Sequence, residues 1–406
     1  MKSLLSVVLS LLIIISLSAQ DIEIKSLKAY TGSENQLPVY TGIEEKLVIE
    51  FDIQSEFIPN LNIVFRYCDK NWKPYETPFL QNIGQNIYYN IDVNRLPQTV
   101  EDAKYHYRDG FPDNDGMVSF PFSGKWQYYI TDSQDTSIVY ATGKFYVAYP
   151  EMDLNIAAKK ATREDISYFP QDLGRVYDIT TSFELPDQLF PSNVTETEII
   201  VNHRINSPYI IDRSFNTAIR QFYWDGNRKF SFTARDVYPG NEYRQVDLRN
   251  NNKYFGREVR AQLDGIEISR FNIQGDKDLN GGSLLTDYKS DYATYLDVIF
   301  EIRPPYDVTG SIFLTGAFND WQILPEYKMD NSGGLYSKTI RLKRGVYDYQ
   351  YVTADVINNY IKNDNWITLE GNFWETSNDY YIFVYYNEPN YGGYDRIIGY
   401  YKISGR

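Results

Sequence analysis

The sequence predicts an all-β chain: three tandem immunoglobulin-like β-sandwich domains behind a signal peptide. Three observations carry this. Apolar residues recur at every second position along many short stretches, and turn-forming clusters separate those stretches. No long stretch repeats with helical period. The chain also holds 38 Tyr and 22 Phe, and strands favour aromatic side chains.

The first residues read as a secretory signal over 1–19. Lys2 supplies the positive start, Leu4 to Leu17 the apolar run, and Ser18-Ala19-Gln20 the small-residue region where cleavage occurs. The run is shorter than the ~20 apolar residues of a spanning helix, and no later segment is apolar enough to cross a bilayer. No Cys follows the run, so no lipid anchor is expected. The expected product is an exported protein with no direct membrane span.

Within the exported part, Leu47, Ile49, Phe51 and Ile53 share one strand face, and Glu50, Asp52 and Gln54 share the other. Leu61, Ile63, Phe65 and Tyr67 repeat the pattern. So do Trp126, Tyr128 and Ile130, and then Leu296, Val298, Phe300 and Ile302. Pro112-Asp113-Asn114-Asp115-Gly116 and Asn331-Ser332-Gly333-Gly334 are turn clusters. Ala157 to Thr162 is read as one short turn of helix. Composition changes near Tyr149-Pro150 and again in the Gly-, Asp- and Asn-rich stretch from Gly275 to Asp291. These changes divide the chain into an N-terminal sandwich at 20–150, a middle β domain at 151–290 and a C-terminal sandwich at 291–406.

Charge and cysteine content narrow the functions. The formal net charge is −14, the wrong sign for binding phosphates, so no nucleic acid partner is expected. One cysteine cannot form an intrachain disulfide, and Cys68 lies on an alternating strand as a packed thiol. His106 and His203 both sit in strand pattern, without the Cys, His or Ser partners of a zinc site or triad. No spacing singles out a carboxylate pair among the 54 acidic residues. No catalytic residue, cofactor or metal is assigned. Asp276-Lys277-Asp278-Leu279-Asn280-Gly281, with Asp287 beyond, has the spacing of a calcium loop, but Asp, Asn and Gly clusters are also ordinary turn chemistry.

Gly310-Ser311-Ile312-Phe313-Leu314-Thr315-Gly316-Ala317-Phe318-Asn319-Asp320-Trp321, with Gly345 to Val352, resembles the glycogen-binding sandwich modules of glucan enzymes. That resemblance would give Trp321 and Tyr360 the role of sugar-stacking rings, though Gln350 stands where those modules carry lysine. A glucan-binding module for polysaccharide capture is therefore the alternative reading.

A second resemblance covers the whole exported chain. Phe65-Arg66-Tyr67-Cys68-Asp69-Lys70-Asn71-Trp72-Lys73-Pro74 is followed in order by Tyr105-His106-Tyr107, Phe111-Pro112-Asp113 and Ser123-Gly124-Lys125-Trp126. The tail adds Glu370-Gly371-Asn372, Glu375-Thr376, Tyr394-Asp395-Arg396 and Ile398-Gly399-Tyr400. Taken in order, these resemble the type IX secretion system plug family of Bacteroidetes. The resemblance implies a non-enzymatic periplasmic protein, monomeric when free. It would occlude the periplasmic opening of the outer-membrane translocon barrel subunit while no substrate passes.

Overall fold

The computed structural model describes residues 22–42, 45–163, 171–270, 278–285, 294–358 and 360–405. The signal region and Asp276, Lys277 and Asp287 of the calcium-like loop lie outside these. Among the described residues the chain forms six sheets, which pair into β-sandwiches.

The first sandwich joins two sheets. One has the order Glu23–Thr31, Leu47–Gln54, Tyr105–Phe111, Asn94–Arg95. The other runs Val39–Tyr40, Val139–Val147, Gly124–Asp132, Leu61–Cys68, Ile87–Tyr88. The alternation read from sequence places Ile49, Phe51, Ile63, Phe65, Trp126 and Tyr128 in one core. The Phe111-Pro112-Asp113 signature closes a turn, where the Asp113 carboxylate accepts from the backbone N–H groups of Asp115, Met117 and Val118 at 2.9, 3.1 and 2.6 Å. Such a turn ties its own backbone without a neighbouring strand.

The second sandwich is discontinuous. Its outer sheet has the order Asn155–Thr162, Arg175–Glu184, Lys229–Val237, Arg220–Trp224. Its inner sheet has the order Tyr209–Asp212, Val194–Val201, Tyr380–Glu388, Tyr394–Ile403. Ile199 stands opposite Ile382, so the last two strands of the chain complete a sheet begun nearly two hundred residues earlier. Residues between them build the third sandwich. There Val346–Ile357 pairs with Arg244–Asp247, Ser283–Leu284, Ser311–Gly316 and Tyr360–Asn365. The facing sheet has the order Glu258–Arg260, Tyr295–Ile302, Leu335–Lys343, Asp330–Ser332.

This arrangement corrects two expectations. The division at 290/291 does not follow the sheets: strands from 244 to 284 belong with the third sandwich, and 380–403 return to the second. Composition marks loops, and hydrogen-bond pairing across the insertion decides membership. The Ala157 to Thr162 stretch is not helical but lies within strand Asn155–Thr162, paired along its whole length from Asn155 opposite Ser182 to Thr162 opposite Arg175. A full ladder outweighs the few tenths of a kcal/mol by which Ala and Lys favour helix.

Candidate functional site

Strand Val194–Val201 reads Val-Thr-Glu-Thr-Glu-Ile-Ile-Val, and both carboxylates are buried against the first sandwich. Lys125 Nζ lies 3.0 Å from Glu198 Oε1 and donates to the Lys70 carbonyl at 2.7 Å. The Tyr385 and Tyr146 hydroxyls donate to the same carboxylate at 2.6 and 3.2 Å. The ammonium is also ringed by aromatics, 4.9 Å from the Trp72 centroid and 5.5 Å from Tyr385. Lys70 Nζ holds Glu196 Oε2 at 2.6 Å. Burial pushes the Glu196 carboxyl up, although Lys70 opposes this. Around these pairs Leu37, Val39, Ile200, Phe383 and Ile397 form an apolar seam, with Tyr146 stacked on Phe383 at 4.4 Å.

The signature residues from the two ends of the chain meet along this seam. Tyr67 hydroxyl donates to the Ser123 carbonyl at 2.9 Å and also contacts the Asp395 carbonyl. Ser123 Oγ donates to the Ile397 carbonyl at 2.6 Å. The Asp395 N–H donates to the Tyr75 hydroxyl at 2.8 Å, and Lys70 N–H donates to Asp395 Oδ2 at 3.2 Å.

A second buried junction joins the first and third sandwiches. Asp52, on the strand face read from sequence as polar, has no solvent exposure. Lys343 Nζ is 2.6 Å from its Oδ2, the Tyr295 hydroxyl donates to Oδ2 at 2.9 Å, and His106 Nδ1 is 2.8 Å from Oδ1. Burial works to raise this carboxyl, but the His106 hydrogen bond and the Lys343 charge hold it below its usual range. Arg341 Nε donates to Asp102 at 2.6 Å nearby.

The connections between the second and third sandwiches form a stapled neck. Asn372 Nδ2 donates to the Leu173 and Arg175 carbonyls at 2.8 and 2.6 Å, and its Oδ1 accepts from Gly240 N–H at 2.8 Å. Arg244 Nε donates to both oxygens of Glu370, at 3.0 and 2.9 Å. Asn378 Nδ2 donates to the Pro239 carbonyl at 2.8 Å, and Asn378 Oδ1 accepts from Asn202 Nδ2 at 2.7 Å. The Glu370 to Asn378 signature is thus the return crossing of the insertion.

A cleft of about 680 Å³ opens where the three sandwiches converge, with Lys28, Lys144, His203, Asp320 and Trp321 in its walls. Trp321 is 2 % exposed. It donates Nε1–H to the Gly281 carbonyl at 2.7 Å and packs on Tyr243 with centroids 4.2 Å apart. A ring so enclosed has no open face for a sugar. Tyr360 is 70 % exposed and outside the cleft lining, so the two rings assigned to glucan binding are not brought together. Gln350 Nε2 donates to the Trp366 carbonyl at 3.2 Å.

His203 shares its Nε2 proton with the Asn35 carbonyl at 2.9 Å, and burial lowers its pKa to about 4. Burial pushes the Cys68 thiol up to about 12, which removes it as a nucleophile at neutral pH. From the calcium-like loop, Asp278 accepts from the Asn280 N–H at 2.6 Å. Asp348 accepts from Leu279 and Gly281 at 2.7 and 3.0 Å. Burial raises the two carboxyls, to about 8 and about 6. Among the described residues no group of three or more His, Cys, Asp or Glu could hold a metal ion. No helix among them is long and apolar enough to cross a membrane.

Lys70 and Lys125 stand inside the quoted signatures, yet their task was not read from sequence. The available signal was a pair of glutamates two apart in a strand whose other residues are Val, Ile and Thr.

Residues 24–149 match the family model described as type 9 secretion system plug protein 1st domain. The first sandwich belongs to that family. The plug-domain sandwich therefore contributes Lys70, Trp72, Ser123 and Lys125 to the seam with the rest of the chain. No curated protein matches the chain. Its fold is similar to the crystal structure of a hypothetical protein from Parabacteroides merdae ATCC 43184. That protein is 20% identical, with a TM-score of 0.74, and the match covers 95% of this chain and 98% of that one.

Proposed function

We propose that the whole chain is a periplasmic stopper. It seats on the periplasmic opening of the outer-membrane translocon barrel of the type 9 secretion system while no substrate passes, and it acts by shape and adhesion without cofactor or chemistry. The observation that carries this reading is the union of the plug-domain sandwich with the other two through buried ion pairs. A wide barrel has a water-filled lumen. A body that closes it must resist being threaded or bent, and the Lys125–Glu198 and Asp52–Lys343 pairs fix the sandwiches against one another.

Contact surface is also available. Phe57 and Ile58 are exposed on one loop of the plug-domain sandwich, and Ile138 and Val139 on the adjoining hairpin, which is joined to that loop by Ser133 N–H to the Asn60 carbonyl at 3.1 Å. An apolar cluster on a rigid end supplies adhesive area at little entropic cost. The test is affinity purification of the barrel subunit from cells with idle secretion, together with dye permeability of a deletion strain. Co-purification and a leaky envelope are expected. An unplugged translocon in wild-type cells, with a tight envelope in the deletion, overturns the reading.

A further inference from the structure

The outer sheet of the second sandwich ends in strand Asn155–Thr162, whose eight residues pair with Arg175–Glu184 on one side only. Among the described residues no strand pairs with its other edge. Six of the eight, Asn155, Ala157, Ala158, Lys159, Lys160 and Thr162, are exposed, while Ile156 packs against the core of the sandwich. An unpaired edge of this length, about 26 Å, presents a row of free N–H and C=O groups that can accept another strand. Ala157, Ala158 and Ala161 leave room for close backbone approach.

Charge selects the occupant. In a chain of net charge −14 this edge is basic. Among the described residues neither Lys159 nor Lys160 has a carboxylate in ion-pair range. Asp178, the cross-strand neighbour of Lys159, lies 4.0 Å from Arg235, and Lys160 lies over the Trp374 ring at 5.4 Å. Arg175 stands opposite Thr162, with its guanidinium over the Phe373 and Trp374 rings. Antiparallel pairing with a second copy would bring the two lysine pairs together, and like charges across a ladder repel. An acidic strand would instead place carboxylates beside them.

We propose that the Asn155–Thr162 edge is a strand-addition site for an extended acidic segment of a partner polypeptide. The assignment stands independently of channel closure, because it uses an edge strand of the second sandwich and none of the exposed plug-domain loops.

The test uses the full exported chain and two fluorescein-labelled heptapeptides. One is Thr-Glu-Val-Glu-Val-Glu-Thr-amide with the fluorescein on its N-terminal amine, and the other carries Lys in place of Glu. In low salt the acidic peptide is expected to bind by fluorescence anisotropy and to slow hydrogen exchange of the 155–162 amides. The double variant Lys159→Glu, Lys160→Glu should weaken it at least about tenfold and let the basic peptide bind. Both lysines are exposed, so an unchanged melting temperature shows that the variant is folded. Failure of the acidic peptide to bind, equal binding of both peptides, or exchange protection elsewhere in the chain overturns the proposal. So does self-association of the wild-type chain through this edge.

Discussion

Lys125 and Glu198 are 73 residues apart in sequence and 3.0 Å apart in space, with both side chains withdrawn from water. The lysine comes from the plug-domain sandwich and the glutamate from its neighbour, so the pair works only if the two are docked. Lys125→Met should leave the Glu198 charge buried beside two tyrosine hydroxyls and cost about 3–5 kcal/mol. The double change Lys125→Met, Glu198→Leu should recover part of that loss, because no unpaired charge stays buried, although the Tyr146 and Tyr385 hydroxyls and the Lys70 carbonyl lose their partners. Denaturant unfolding of the single and double variants measures both. Equal destabilisation in both would show that the pair is not the link.

How much of this was legible in the sequence follows from what alternation can report. Leu47, Ile49, Phe51 and Ile53 mark a strand and its core face, and the structure places all four in the core. The same alternation assigns Glu50 and Asp52 to a polar face, yet both are buried. Period-two patterning tells one face from the other, but not whether another sandwich covers the polar one. The partner of Asp52 is Lys343, 291 residues away, and no local pattern connects them. The discontinuous second sandwich was hidden for the same reason. Tyr380 to Tyr386 reads as a strand wherever it pairs, and only its register with Val194–Val201 reveals its sheet.

The neck should be sensitive to one side chain. Asn372 bonds three backbone groups at once, and Asn372→Ala leaves one buried carbonyl, one half-buried carbonyl and one half-buried N–H without those partners. A loss of about 2–4 kcal/mol is expected. Hydrogen exchange should accelerate in Pro239 to Arg244 and in Glu370 to Asn378, while the core strands of the plug-domain sandwich stay protected. Uniform acceleration throughout would mean that the neck has no separate identity.

Trp321 gives a direct contrast between packing and sugar binding. Trp321→Ala should cost about 3–5 kcal/mol, since a buried indole leaves a large void. Trp321→Phe should recover part of it but leave the Gly281 carbonyl without its donor. Neither variant should differ from wild type in retention on insoluble starch or glycogen, because the ring faces Tyr243 rather than solvent. Wild-type retention that vanishes with Trp321→Phe while the fold persists would restore the glucan reading.

His203 makes the chain's stability depend on pH in a defined window. Burial lowers its pKa to about 4, while the unfolded residue titrates near 6.5. Between these values the unfolded chain binds a proton that the folded chain refuses. Stability from this residue is therefore complete above pH 6.5 and drains as pH falls towards 4, with a slope of at most about 1.4 kcal/mol per pH unit. Charging the ring also sets it against Lys28 and Lys402, while the Asn35 carbonyl and Asp379 favour the charged form less than burial opposes it. His203→Gln keeps a donor for the Asn35 carbonyl and cannot take up a proton. Its melting temperature should fall less than that of wild type between pH 6.5 and about 4.5, and the two should run parallel above pH 7. Parallel curves across the whole range would mean that the imidazole takes up its proton in the folded chain as readily as in the unfolded one, and that burial does not hold it neutral.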